Sequence, residues 1–352
     1  MKKGTRVLAA MMLVSSLLMG CSGGNSGTTA APAADTSAAA ATGTETTAAA
    51  DVTTTAAPGE QQKAAEKTYK VAMIYQDLSG QFNIYFQGQL QKKCAELGVT
   101  LVEFDGQGET DKQLSQCENA LQQGVDALMF IPVDKSGCAP IIENCNDAGI
   151  PVICCNNPTD NVEEATAYVG ANDVDAGIME MEFMAELIGG KGNICIVEGP
   201  FGHSAQIARQ EGIQQTLEKY PDIKVLFSDT ANWDRTEAMD LMENWIQKSG
   251  DSINAVVCHS DDMGMGVLQA VQGAGLDGQI QVIGIDAIFD ALNAVKSGEM
   301  AATVFQDVYG QADGAIEVAL KILNGESYEK TTYVPFQLVT TDNVDSYLAN
   351  FK

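Results

Sequence analysis

The sequence predicts an α/β protein made of two doubly wound parallel-sheet lobes. Three observations lead there. Continuous apolar runs of four to six residues recur along the sequence, as expected of strands covered on both faces. Stretches with apolar residues at helical spacing separate them. The series runs to Cys155 and restarts near Ile178, so the polypeptide contains two β/α series.

In order, Val71–Tyr75 reads as a strand and Phe82–Leu97 as a helix. Val99–Phe104 is a strand, Lys112–Gln123 a helix, Ala127–Ile131 a strand, Gly137–Ala148 a helix and Pro151–Cys155 a strand. The second series opens with a helix over Ile178–Ile188, the acids Asp173 and Asp175 marking its start. Asn193–Val197 is then a strand, Ile207–Tyr220 a helix, Val225–Ser228 a strand and Glu237–Lys248 a helix. Ala255–Cys258, Gln281–Ile285 and Thr303–Phe305 are strands. Met263–Gly273, Ile288–Val295 and Gln311–Leu323 are helices.

Residues 1–20 do not belong to this pattern. Lys2, Lys3 and Arg6 precede an apolar stretch from Val7 to Met19, and small residues follow: a secretory signal. The stretch is too short to cross roughly 30 Å of hydrocarbon as a helix. Gly20 before Cys21 resembles a bacterial lipobox, which implies cleavage after Gly20 and a lipid on Cys21. Residues 21–67 are mostly Ala, Thr, Gly and Ser, which bury too little surface to offset conformational entropy. They read as a tether with a reach of roughly 35–40 Å.

The protein has 20 Lys+Arg against 47 Asp+Glu, a formal charge of −27. Nucleic-acid phosphates demand basic surface, so no nucleic-acid partner is expected. Apart from Cys21, the cysteines show no CxxC spacing, and most stand inside apolar runs, which fits small core hydrophobes. No convergent ligand spacing points to a metal, and no cofactor motif is present. The β/α series carries no GxSxG elbow, and GxxxxGK[ST] and HExxH are absent, which argues against an enzyme.

Ligands of such sheets sit beyond the carboxyl ends of the strands. The residues there include Ser79, Gln81 and Phe82 after the first strand, and Asn156 and Asn157 after Pro151–Cys155. His203 and Arg209 follow Asn193–Val197, and Trp233 follows Val225–Ser228. Ser260 and Asp261 follow Ala255–Cys258, Asp286 follows Gln281–Ile285 and Gln306 follows Thr303–Phe305. Aromatic faces suit the C–H face of a sugar ring. Carboxylate, guanidinium and amide groups suit its hydroxyls. Plainer readings exist: Phe82 as a core residue, His203 as an exposed loop residue, Asp261 or Asp262 as the cap of the helix at Met263.

The region from Tyr69 to about Val344 resembles the periplasmic sugar-binding proteins of the ribose and glucose/galactose type, which feed ABC importers. The resemblance rests on Gly124-Val125-Asp126-Ala127-Leu128, Gly149-Ile150-Pro151-Val152, Ser260-Asp261-Asp262-Met263-Gly264-Met265-Gly266, Val282-Ile283-Gly284-Ile285-Asp286 and Ala301–Gln306. It implies that Phe82 and Trp233 are aromatic walls, that Arg209, Asp286 and Gln306 clamp hydroxyls, and that Asn156 is a polar contact from the first lobe. It implies a ligand cleft between the two lobes and three hinge crossings, near Ala171–Asp173, Gln306–Val308 and Val334–Phe336. The lobes would be 68–171 plus 308–334 and 172–307 plus 335–352.

The sequence departs from the family at Asn156-Asn157, where the ribose branch has Asp-Arg, and at Ser260, where Asn is usual. The calcium loop of the galactose type is not matched after Gly170. The expected function is therefore that of a monomeric, membrane-anchored lipoprotein, from a bacterium without an outer membrane. It would capture a small neutral sugar and deliver it to an ABC permease. The alternative is a sugar-sensing subunit that signals to a membrane receptor or histidine kinase.

Overall fold

The computed structural model describes residues 68–351; the signal, Cys21 and the tether lie outside them. The first sheet contains β1 (Lys70–Tyr75), β2 (Thr100–Asp105), β3 (Ala127–Phe130), β4 (Val152–Asn156) and β5 (Ala167–Gly170). Helices α1 (Gln81–Leu97), α2 (Thr110–Gln122) and α3 (Ala139–Ala148) connect its first four strands. The second sheet contains β6 (Lys191–Glu198), β7 (Asp222–Thr230), β8 (Ala255–Cys258), β9 (Gln281–Asp286) and β10 (Ala302–Phe305). Its helices are α4 (Asp173–Leu187), α5 (Ser204–Leu217), α6 (Arg235–Ser249), α7 (Asp261–Gly273) and α8 (Phe289–Ser297). The last elements are α9 (Val308–Asn324), β11 (Thr331–Tyr333), β12 (Gln337–Val339) and α10 (Val344–Leu348).

Both sheets have six strands and the same winding. Their orders are β11-β5-β4-β3-β1-β2 and β12-β10-β9-β8-β6-β7. In each, the second strand of the series lies outside the first and the third on its other side. The direction of winding therefore reverses beside β1 and beside β6, where doubly wound sheets open a crevice for ligands. After β10 the backbone returns to the first sheet, where α9 packs against α1 and β11 pairs with β5. It then goes back to the second, where β12 runs antiparallel to β10.

Each sheet is buried on both faces, as its continuous apolar strands require. In the first sheet, Met73, Phe86, Leu90 and Ile316 form one core, and Ile74, Phe130, Ile141 and Cys145 form the other. In the second, Trp245, Met263, Val267 and Leu292 fill one face, and Met181, Ile194, Ile213 and Ile283 fill the other. Cys94, Cys117, Cys138, Cys145, Cys154, Cys155, Cys195 and Cys258 are all buried free thiols.

Helices α4 and α5 come unusually close, and two glycines allow it. A Cβ at Gly177 would stand 2.1 Å from the Arg209 carbonyl oxygen, and one at Gly212 would stand 2.2 Å from that of Val174. The close approach brings the N-terminus of α4, with Asp173, beside the Arg209 side chain.

The predicted strands and helices are present, with some ends displaced. Helix α4 begins at Asp173, where the acids mark its start, several residues before its apolar stretch at Ile178, and α5 begins at Ser204 rather than Ile207 because its first turn is polar. Four elements have no counterpart in the sequence reading: β5, β11, β12 and α10. Strands β11 and β12 have three residues each, too few for an apolar run to mark them; β11 is largely open to solvent, while β12 buries Val339. Strand β5 is buried, but its sequence AYVG is short and follows an acid-rich stretch.

Candidate functional site

A cavity of about 310 Å³ lies between the carboxyl ends of the two sheets. From the first sheet it is lined by residues after β1, at the start of α1 and after β4. From the second it is lined by residues at or beyond the ends of β6 to β10. Ser79, Gln81 and Phe82, Asn156 and Asn157, His203 and Arg209, Trp233, Ser260, Asp286 and Gln306 all face it.

Arg209 organises the floor. It is 4% exposed. Its Nε and one terminal nitrogen donate to Asp173 Oδ1 at 2.9 and 2.8 Å, and the other terminal nitrogen donates to the His259 carbonyl. Burial works against the charge, but Asp173 and Asp286 hold the guanidinium protonated. A further Arg209 N–H donates to Gln306 Oε1 at 3.2 Å. A guanidinium can only donate, so it fixes the orientation of that amide. Gln306 Nε2 is left buried with no partner among the described residues.

His203 ties the two lobes together. As the N-cap of α5, its Nδ1 accepts the Ala205 N–H at 3.2 Å. The neutral ring therefore carries its proton on Nε2, which donates to Gln76 Oε1 of the first lobe at 3.1 Å. Asn157 Nδ2 donates to the same oxygen at 3.4 Å. Burial, then the charge of Arg209, push the His203 pKa down to about 3. The ring is 4% exposed, which rules out the exposed-loop reading.

Trp233 is seated by unusual backbone. Asn232 and Trp233 have φ of 52° and 63°, in the left-handed region that costs a bulky residue free energy. The ring edge lies over Gly199, where a Cβ would be 2.2 Å from it. His203 meets the indole edge-on at 5.2 Å, and the Arg209 guanidinium is 5.8 Å from its centroid. Phe82 is half-buried: it faces the cavity and also packs on the core of the first lobe.

Asp286 ends β9 with φ of 126°. No protein group among the described residues hydrogen-bonds its carboxylate. Burial raises its pKa well above the usual range, against the pull of Arg209. Asn156 has φ of 59° and donates from Nδ2 to Gln311 Oε1 at 2.9 Å.

Asp261 requires a correction. It does not line the cavity. Its carboxylate accepts from Thr303 Oγ1 at 2.8 Å and from the Ile288 N–H at 3.1 Å, which ties α7 to β10 and α8. Nor does an aspartate cap α7: Ser260 does, accepting from the Met263 N–H at 3.4 Å. Asp262 is the residue that faces the cleft. It accepts from the Gln81 N–H of the first lobe at 3.2 Å and pairs with Arg235 at 2.9 Å.

Gln76, Asn83 and Glu237 also line the cavity but were not singled out from sequence. Asn83 sits in the first turn of α1, one residue past Phe82, and could have been found from the helical period. Asp173 gives no such signal, since nothing in the sequence ties it to a partner 36 residues away. Among the described residues, no cluster of side chains has the makings of a metal site.

Residues 71–327 match the family profile described as a periplasmic binding protein domain. The chain belongs to the periplasmic binding protein family. The members of this family are solute-binding proteins rather than enzymes, so the cleft holds its ligand without transforming it. A xylitol-binding protein of Mycolicibacterium smegmatis is 41% identical over 247 residues, which cover 70% of each protein. The ribose import binding protein of Bacillus subtilis is 31% identical, over 78% of this protein and 88% of that one. Among solved structures, an ABC transporter solute binding protein from Bacillus halodurans with bound myo-inositol matches with a TM-score of 0.78. It is 37% identical, and the match covers 81% of this binding protein and 99% of that one.

Proposed function

We propose that this binding protein captures a small sugar or polyol in the cleft and hands it to an ABC importer. It does so as a monomer at the outer face of a cell membrane, in a bacterium without an outer membrane, held by a lipid on Cys21 and a tether of residues 21–67. The lobes are 68–171 plus 308–334 and 172–307 plus 335–352. The observation that carries the reading is the pairing of polar groups lacking protein partners with aromatic walls. Gln306 Nε2 is buried and unsatisfied, and the Asp286 carboxylate accepts nothing from the described protein groups. Leaving such groups unpaired costs roughly 1–3 kcal/mol each, and ligand hydroxyls would satisfy a donor and an acceptor together. Trp233 and Phe82 offer faces for the C–H groups of a cyclic or an open polyol. The volume lies at the low end of small-molecule sites, roughly 300–1,000 Å³.

Closure follows from the same contacts. Gln76 to His203 and Gln81 to Asp262 join the lobes across the cleft. A ligand favours this closed state only by its differential affinity for it. A micromolar ligand gains roughly 8 kcal/mol, ample for an open–closed balance of a few kcal/mol. To test the reading, the protein is unfolded and refolded to strip carried-over ligand, then screened against xylitol, myo-inositol, D-ribose and D-allose by thermal shift. At least one raises the melting temperature, and Asp286→Ala weakens that ligand at least tenfold. No shift with any polyol at millimolar concentration removes the assignment.

A further inference from the structure

The cleft carries a charge imbalance that plain hydroxyl recognition does not need. Asp77, Asp234, Glu237, Asp262 and Asp286 line it, and Arg209 is the one cation in the lining among the described residues. Arg209 is already neutralised by Asp173 at 2.8 Å, and Asp262 by Arg235 at 2.9 Å. Asp77, Asp234, Glu237 and Asp286 form no ion pair among the described residues. Three of these four have protein hydrogen bonds: Asp77 accepts from Ser79 N–H, Asp234 caps α6, and Glu237 accepts from Asn232 Nδ2. Asp286 has none.

A hydroxyl donates one hydrogen and also presents lone pairs. A protonated amine donates up to three hydrogens and presents none. An acceptor-rich wall with its cation already engaged matches the second inventory better than the first. Gln306 Nε2, turned outward by Arg209, supplies the complementary donor for a hydroxyl beside the amine. We propose that the cleft ranks ligands by charge, taking an amine-bearing polyol ahead of its neutral parent and refusing the acid-bearing counterpart, with Asp286 receiving the amine. The proposal rests on the polyol reading above and narrows the neutral-sugar expectation.

Burial favours the protonated Asp286 carboxyl, so an ammonium group is received as that proton leaves to solvent; charge-assisted hydrogen bonds are roughly twice as strong as neutral ones, so the amine advantage should reach about tenfold in Kd. The test uses refolded protein at pH 6.5 and two matched series, each measured by calorimetry. One is D-glucose, D-glucosamine and D-glucuronate. The other is myo-inositol, 1-amino-1-deoxy-scyllo-inositol and myo-inositol 1-phosphate. In at least one series the amine binds about tenfold tighter than the neutral parent, and the acid gives no heat. Raising the salt weakens the amine and leaves the parent unmoved. Asp286→Asn weakens the amine at least tenfold more than it weakens the parent.

If in neither series the amine binds tighter than its neutral parent, or if an acid binds at all, the charge ranking is overturned and the polyol reading is left standing. Silence from all six compounds overturns the ranking as well. The polyol reading then stands or falls on the wider thermal-shift screen.

Discussion

At the scale of the residue, burial decides the chemistry. The sequence has two histidines, and both are held neutral. His259 is fully buried, its Nδ1 accepts the Gly199 N–H at 3.4 Å, and burial lowers its pKa to about 3 as it does for His203. Between about pH 6.5 and 3 the unfolded protein takes up protons at these rings and the folded protein does not. This contribution to stability is therefore complete above about pH 6.5 and is lost as the pH falls toward 3, at about 1.4 kcal/mol per pH unit for each ring. Glu180 and Asp286 act in the opposite sense, since burial raises both carboxyls. The histidine effect is isolated by NMR of the ring protons. Neither ring should titrate between pH 8 and 4.5; a midpoint near 6.5 for either would contradict its burial.

At the scale of the element, the loop between β7 and α6 sets one wall of the cleft. Trp233 was visible in the sequence as an aromatic just past a strand. Its left-handed backbone and its seat over Gly199 were not, because they depend on β6 and β7 lying side by side. Gly199→Ala should push the indole off its seat, since a Cβ at 2.2 Å cannot be accommodated without movement. We expect ligand affinity to fall at least tenfold, with the urea midpoint moving far less than for a core truncation at Trp245. Affinity unchanged in Gly199→Ala would mean that Trp233 contributes little to the site.

The elements themselves were legible to different degrees. Strands β1, β3, β8 and β10 are four to six residues of nearly continuous apolar sequence and could be read directly. Strands β11 and β12 could not, because three residues are too few to show a period, and their place is fixed by pairing with β5 and β10. Most site residues were readable because they stand just past a strand end; Arg209 stands farther on, inside α5. Asp261 shows the limit of that rule: of two adjacent aspartates after one strand, one turns to the cleft and the other inward to Thr303, and sequence alone does not say which.

At the scale of the whole molecule, two sheets with the same strand order face each other, and several of the groups that bridge them also line the cavity. Gln76, Gln81, His203 and Asp262 hold the lobes together and also border the ligand space. Ligand capture and lobe contact are coupled through these four side chains and backbone groups. The central claim is that the occupant is a sugar or polyol. Calorimetric titration of the refolded protein with xylitol, myo-inositol and D-ribose tests it most directly. The account predicts saturable one-to-one binding of at least one of them, with a negative heat-capacity change from burial against Trp233 and Phe82. No heat from any of the three at millimolar concentration, with clear binding of a free amino acid instead, would contradict it.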